Sequence, residues 1–213
     1  MARSGLKLGV FGGTFDPIHL GHLRPVEEVA EVFGLERVLY VLAAHPPHKG
    51  GEAHASAEDR WRMLRMALED NPRFEPSDIE LRRQGPSWTV DTIEYLLDTS
   101  QGELYFILGE DAFREIETWK DYRRLLGLCH FVVMRRTEED LDLLITTLGY
   151  RRASPGAYVG SKGKLLFLQP VTPLGISATL VRELVREGRS IRYLVPDKVR
   201  DYILERGLYR SGA

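Results

Sequence analysis

"GVFGGTFDPIHLGH" (residues 9–22) is the stretch on which the fold turns. An apolar run stops at a glycine pair. Thr14, an Asp16–Pro17 pair and two histidines three residues apart follow. The run "LKLGVF" (6–11) has the length and unbroken apolar character of a strand buried on both faces. Gly12 and Gly13 let the chain turn sharply and let a ligand come close to the backbone. Asp16 reads as the N-cap and Pro17 as the first residue of a helix. That start puts His19 and His22 on one face of its first turns. A helix N-terminus offers N–H groups and a positive dipole end to phosphate, and a bound phosphate favours charged imidazoles. A tight turn with two ordinary surface histidines is the simpler reading, but it leaves the glycine pair and the histidine spacing to coincidence. Pro25 predicts a kink, or a helix that begins only just before it, and Gly34 closes that helix.

Downstream, "RVLYVLAA" (37–44), "ELYFILG" (103–109), "HFVVMR" (130–135) and "KLLFL" (164–168) read as strands, with a weaker one in "RFEPSDIEL" (73–81) interrupted by Pro76. Helical patterns lie between them. Ser56 and Asp59 open one, and Ser87 caps another through "WTVDTIEYLLDT". Further helical segments fall at about 111–126 and in "TEEDLDLLITTLG". Two more run from Ser177 to about Glu187 and from Pro196 to about Arg206. Strands alternating with helices predict an α/β fold, a Rossmann-like doubly wound parallel sheet with helices on both faces. The expected organisation is one domain, 1–213, with the C-terminal helices (about 177–206) packed on the same core. In such a sheet ligands sit beyond the carboxyl ends of the strands, so the residues after each strand carry most weight.

The chain has 213 residues, 43% of them hydrophobic, enough for one sizeable core. With 29 basic and 31 acidic residues the net charge is −2, which gives no electrostatic footprint for nucleic acid or an anionic membrane. A phosphate ligand must therefore be met by a local site. Of the basic residues 23 are Arg and six Lys, a bias suited to bidentate oxyanion contacts and equally explained by codon usage. Cys129 is the only cysteine, so an intrachain disulfide and a Cys-based zinc site are excluded, and its setting in "LCHFVVM" predicts a buried, inert thiol. The opening "MARSGLKLGVFGG" lacks the apolar core of a signal peptide, and the apolar runs are of strand length, so a cytoplasmic protein is expected. The sequence is compatible with a homo-oligomer.

Several strand ends carry polar groups. In "HPPHKG" (45–50), Lys49 offers a flexible point charge to phosphate, beside His45 and His48; a Pro-stiffened polar loop explains that stretch as well. In "GEDAFREIETW" (109–119), Gly109 and Asp111 sit where a carboxylate can accept ribose hydroxyls, and Asp111 suits an N-cap too. Trp119 is either core or a stacking surface. In "GISATLVRELVREG", Ser177, Thr179 and Arg182 make a second helix N-terminus fit for an anion. Two such ends suggest a polyphosphate. No nucleophile elbow, H-E-x-x-H or P-loop motif is present. Positioning and charge stabilisation remain, which is how phosphoryl and nucleotidyl groups are transferred.

"GGTFDPIHLGH" resembles the T/HxGH signature of the nucleotidyltransferase superfamily related to class I aminoacyl-tRNA synthetases. With "PPHK", "PSWTVDT", "GEDAFREIETW" and "ISATLVR" in this order, the chain resembles bacterial nicotinate-nucleotide adenylyltransferases from about residue 7 to 206. The resemblance implies transfer of AMP from ATP to nicotinate mononucleotide, giving deamido-NAD and pyrophosphate, with Mg²⁺ bridging the ATP phosphates rather than held by protein ligands. It implies that His19, His22, Lys49 and Arg182 are catalytic. Gly12, Gly13, Thr14, Phe15, Ser177 and Thr179 would contact the ATP phosphates, and Gly109 and Asp111 its adenosine or ribose. Trp119 would stack on the pyridine ring, with Ser87 and Thr89 near the mononucleotide. Backbone N–H groups around Trp119 and Lys120 would take the nicotinate carboxylate. Two positions depart from the family pattern: Ala178 stands where a second Ser is common, and Trp88 where Tyr is frequent. Phosphopantetheine adenylyltransferase, a nicotinamide-mononucleotide enzyme and an inactive nucleotide-binding module are the alternatives.

Overall fold

The computed structural model describes residues 6–44, 53–83, 85–137, 139–160 and 162–210. Eight strands form a mixed sheet: β1 (Lys7–Gly13), β2 (Arg37–Leu42), β3 (Phe74–Ser77), β4 (Glu103–Gly109), β5 (His130–Arg135), β6 (Arg151–Ser154), β7 (Ala157–Val159) and β8 (Leu165–Pro170). Their order is β3-β2-β1-β4-β5-β8-β7-β6. The helices are α1 (Leu20–Phe33), α2 (Ala57–Leu68), α3 (Thr89–Thr99), α4 (Glu110–Arg114), α5 (Tyr122–Leu125), α6 (Asp142–Thr147), α7 (Ala178–Arg186) and α8 (Asp197–Glu205). The chain divides into two compact units of discontinuous segments.

The first unit comprises Met1–Gly12, Val26–Leu39 and Trp88–Thr172. Its centre is parallel: Phe11 pairs with Ile107, Ile107 with Val132, and Val132 with Phe167. Leu104 to Leu108 in β4 and Phe131 to Met134 in β5 are all buried, so both faces of these strands are covered, as their unbroken apolar runs predict. Val26, Val29 and Ala30 of α1 and Val90, Ile93 and Leu96 of α3 are buried at helical spacing. Beyond β8 the sheet turns antiparallel through β7 and β6. No element of this hairpin is expected from the sequence. Its turn is Pro155–Gly156, with Gly156 at φ 72°, and every residue of β6 is exposed, so no apolar pattern marks it.

The second unit comprises Gly13–Pro25, Tyr40–Ser87 and Pro173–Ala213. The Ser56 hydroxyl accepts from Asp59 N–H at 3.0 Å and opens α2 as expected. The Tyr202 hydroxyl of α8 donates to the Asp59 carboxylate at 2.7 Å and joins α8 to α2. Ser177 caps α7 by accepting from Leu180 N–H at 3.1 Å.

Three local expectations are corrected. Helix α1 begins at Leu20, not at Pro17. Asp16–Pro17 is a cis peptide in a turn, and the Asp16 carboxylate accepts bonds from distant segments instead of capping the helix. Pro25 therefore lies in the second turn of α1 rather than at its start. The stretch 111–126 is not one helical run. It breaks into α4, a 3₁₀ turn (Ile116–Thr118) and α5, with Asp121 left-handed at φ 49° between the last two.

Candidate active site

In the second unit, a short turn joins β1 to α1. The glycine pair ends β1 but does not make the turn; Phe15, at φ 47°, does. The glycines act by their lack of a side chain. A Cβ on Gly13 would come within 2.8 Å of the Phe15 ring, whereas one on exposed Gly12 would meet no atom within 4 Å. Gly12 thus leaves open space at the strand end, and Gly13 makes room for the ring that shapes the turn.

His19 is buried and ends the turn; its carbonyl accepts from His22 N–H at 2.8 Å. The two imidazoles stack with centroids 3.7 Å apart. His19 N–H donates to His22 Nδ1 at 3.3 Å, so the neutral His22 ring carries its proton on Nε2. His22 also meets the edge of Phe15 at 5.3 Å. Although α1 starts three residues later than expected, the histidines still sit together at its N-terminus, where the helix dipole is positive. Gly21 lies between them. A Cβ there would be 2.9 Å from the Ile176 carbonyl and 3.0 Å from His19 Nδ1. Glycine at this position lets the lead-in to α7 approach the histidines.

Arg182, in the second turn of α7, donates to the Asp16 carbonyl at 2.7 Å and to the Thr179 hydroxyl at 3.2 Å. The second unit thus brings Gly13, Thr14, Phe15, His19, His22, Thr179 and Arg182 into one network, with Ser177 at the same helix end. Ser87 does not cap α3. Its hydroxyl accepts from Ala44 N–H at 3.1 Å, holding the end of β2, and Trp88 takes the cap position without a side-chain capping bond. His45, His48 and Lys49 lie outside the described residues.

In the first unit, Gly109 is the N-cap of α4, and Asp111 is exposed in its first turn, so the cap expected of Asp111 belongs to Gly109. Trp119 is half-buried, its ring edge-on to Phe106 at 6.1 Å and 80°. The Lys120 ammonium bonds the Asp91 carboxylate at 3.1 Å and lies 5.7 Å from the Trp88 ring centroid. Thr89, the first residue of α3, completes this group. The tryptophan at 88 therefore supplies a face for Lys120, beside the turn that carries Trp119.

A family profile described as cytidylyltransferase-like matches residues 10–184. A protein of Desulfatibacillum aliphaticivorans is 44% identical over 96% of this chain and 100% of its own length. One from Desulfitobacterium hafniense (strain DSM 10664 / DCB-2) is 42% identical over 96% of each chain. Both carry the name "Probable nicotinate-nucleotide adenylyltransferase". The chain belongs to the nicotinate-nucleotide adenylyltransferase family. Among solved structures, the nicotinic acid mononucleotide adenylyltransferase of Plasmodium falciparum in complex with NaAD matches with a TM-score of 0.76 at 18% identity, over 96% of this chain and 97% of the other. The same enzyme complexed with APC matches with a TM-score of 0.73 over the same shares. At that identity the likeness establishes the Rossmann-like fold.

Each unit also holds buried or far-reaching polar contacts that the sequence does not announce. Glu110 is buried, and its carboxylate accepts from Arg136 N–H at 3.3 Å and Thr137 Oγ1 at 3.2 Å, joining the ends of β4 and β5. Arg60 and Tyr209 bond the turn from far along the chain. A signal for Arg60 exists: it occupies the same helical face as buried Met63, Leu64 and Leu68. Cys129 is buried as expected, and burial pushes its thiol up to about 12.

Proposed function

We infer that this chain transfers AMP from ATP to nicotinate mononucleotide, releasing pyrophosphate and forming deamido-NAD. The observation that carries the mechanism is the stacked His19–His22 pair at the start of α1, in one network with Arg182 through the turn 14–16. The 5′-phosphate oxygen of the mononucleotide attacks the α-phosphorus of ATP in line. The bond from that phosphorus to the bridging oxygen breaks, and pyrophosphate leaves with the electron pair. His22 Nε2–H and the buried His19 ring donate to phosphate oxygens as negative charge accumulates, preorganised so that no reorientation accompanies the step. Arg182, Ser177 and Thr179 hold the β/γ end, and Lys49 adds a charge to the phosphates. Thr14 and the backbone at Gly12, Gly13 and Phe15 meet the phosphates. Trp119 offers a ring face to the pyridine. Thr89 and Ser87 lie near the mononucleotide, and the Lys120 N–H takes its carboxylate; the Trp119 N–H expected beside it is instead bonded to the Ile116 carbonyl at 3.0 Å. Gly109 and Asp111 meet the adenosine.

The side chains named around the phosphates are imidazole, hydroxyl, guanidinium and ammonium, donors that fit phosphate oxygens rather than a cation. Among the described residues no cluster of three or more His, Cys, Asp or Glu stands ready to hold a metal. Mg²⁺ bound with ATP would supply charge neutralisation to the phosphates, while the side chains named above would hold the phosphate oxygens. Among the described residues no helix is long and apolar enough to cross a membrane.

The test is pyrophosphate release from ATP and Mg²⁺ with nicotinate mononucleotide, nicotinamide mononucleotide or phosphopantetheine as acceptor. Preference for the first is expected. Preference for either other acceptor overturns the assignment of substrate, and release with none overturns the activity.

A further inference from the structure

Among the described residues, Arg60 is the largest fully buried side chain, at 2% exposure. All four of its hydrogen bonds run to main-chain carbonyls. Nε donates to Ala55 at 3.3 Å, Nη1 to Thr14 at 2.9 Å and Ala43 at 2.8 Å, and Nη2 to Ala44 at 3.2 Å. Burial pulls its guanidinium down from the usual value, opposed by the nearby charge of Asp16. Asp16 is itself buried. Its carboxylate accepts from His54 N–H at 2.7 Å, Ala55 N–H at 3.1 Å and the Tyr209 hydroxyl at 2.8 Å. Its carbonyl accepts from Arg182. Tyr209 lies beyond α8, in the left-handed region at φ 64°, a conformation a tyrosine keeps only when its surroundings hold it there.

These three side chains tie together four separate segments: the turn 14–16, the end of β2, the lead-in to α2 and the C-terminal tail. Buried charges of this kind are seldom the cheapest way to stabilise a fold, since apolar side chains of equal volume do as well or better. What a guanidinium fork held by four carbonyls supplies is a fixed relative position. The position fixed here is that of Thr14 and Phe15 and, through the Asp16 carbonyl, of the Arg182 guanidinium.

We propose that Arg60, Asp16 and Tyr209 are positioning residues for adenylyl transfer, a brace that sets the phosphate turn and Arg182 without touching substrate. The proposal rests on the function inferred above. It gives the C-terminal tail, nearly two hundred residues from the turn, a part in the phosphate site.

Tyr209→Phe removes one hydroxyl and keeps the ring. The expected result is a fall in kcat of about tenfold, with KM for nicotinate mononucleotide within about twofold of wild type, measured where the variant is fully folded. Ser56→Ala is the control for a purely structural effect. It removes the cap of α2, lowers Tm, and leaves kcat at the wild-type value. Arg60→Lys keeps the charge without the fork and is expected to lose kcat as severely as Arg60→Met. If neither Arg60 variant folds, Tyr209→Phe decides. An active wild type with Tyr209→Phe at full kcat overturns the brace. A wild type that releases no pyrophosphate overturns the functional reading and the brace with it.

Discussion

Gly21→Ala is a one-carbon change whose consequences follow from two distances. The added methyl would sit 2.9 Å from the Ile176 carbonyl oxygen and 3.0 Å from His19 Nδ1. Comfortable contact needs about half an ångström more, so the carbonyl or the imidazole must move. Helix propensity works the other way, because Ala is favoured over Gly inside a helix by about 1 kcal/mol. Overpacking costs about 1–3 kcal/mol. The net loss of stability is thus about 0–2 kcal/mol, a drop in Tm of at most several degrees for a chain of this size. Activity is expected to suffer more. A misplacement of about 1 Å costs about a hundredfold in rate, so half of that implies about tenfold. The assay is kcat for pyrophosphate release at saturating ATP and nicotinate mononucleotide, with Tm read in parallel. A variant with full kcat and an equal or higher Tm would refute the close approach of the 176 carbonyl to His19 as a functional constraint.

Other outcomes follow from the same geometry. His22→Ala removes the donor whose Nε2–H faces the charge that builds on phosphate, and is expected to lower kcat at least about a hundredfold; turnover near wild type would remove His22 from the mechanism. Trp119→Ala is expected to raise KM for the mononucleotide far more than KM for ATP, and equal changes would return Trp119 to a packing role. His130 is buried, and burial, then Lys164 and Lys7, lower its proton affinity against the opposing charge of Glu103. Its Nδ1 accepts from Leu165 N–H at 3.0 Å, a bond that protonation at that atom destroys. The unfolded chain therefore binds the proton more readily, and stability to urea should fall as pH drops below about 6.5, with a smaller fall in His130→Gln. Identical pH dependence in the two proteins would contradict this.

The parts of this fold that the sequence discloses are those set by local pattern. Strands β4 and β5 end where their apolar runs end, and Ser56 and Ser177 cap the helices they precede. Gly34, at φ 61° just past Phe33, closes α1 by the one conformation a helix exit favours in glycine. What stayed hidden depends on partners far along the chain. Asp16 has the composition of an N-cap, but its acceptors are committed to His54, Ala55 and Tyr209, so the helix starts later. Ser87 likewise bonds Ala44, while Trp88 takes the cap position of α3. The histidine pair was legible because its spacing survives a shift in the helix start. The brace at Arg60 was not, because an arginine on a helix gives no sign of which carbonyls it will find.

AMP passes to the pyridine mononucleotide without a covalent enzyme intermediate if the phosphate oxygen attacks the α-phosphorus directly. This transfer is tested most directly with ATP labelled at the α-phosphorus, Mg²⁺ and nicotinate mononucleotide, following the label into product and protein. Label is expected in deamido-NAD, identified by mass, and none in precipitated enzyme at any time. Label retained on the protein, or a labelled product only with phosphopantetheine, would contradict it.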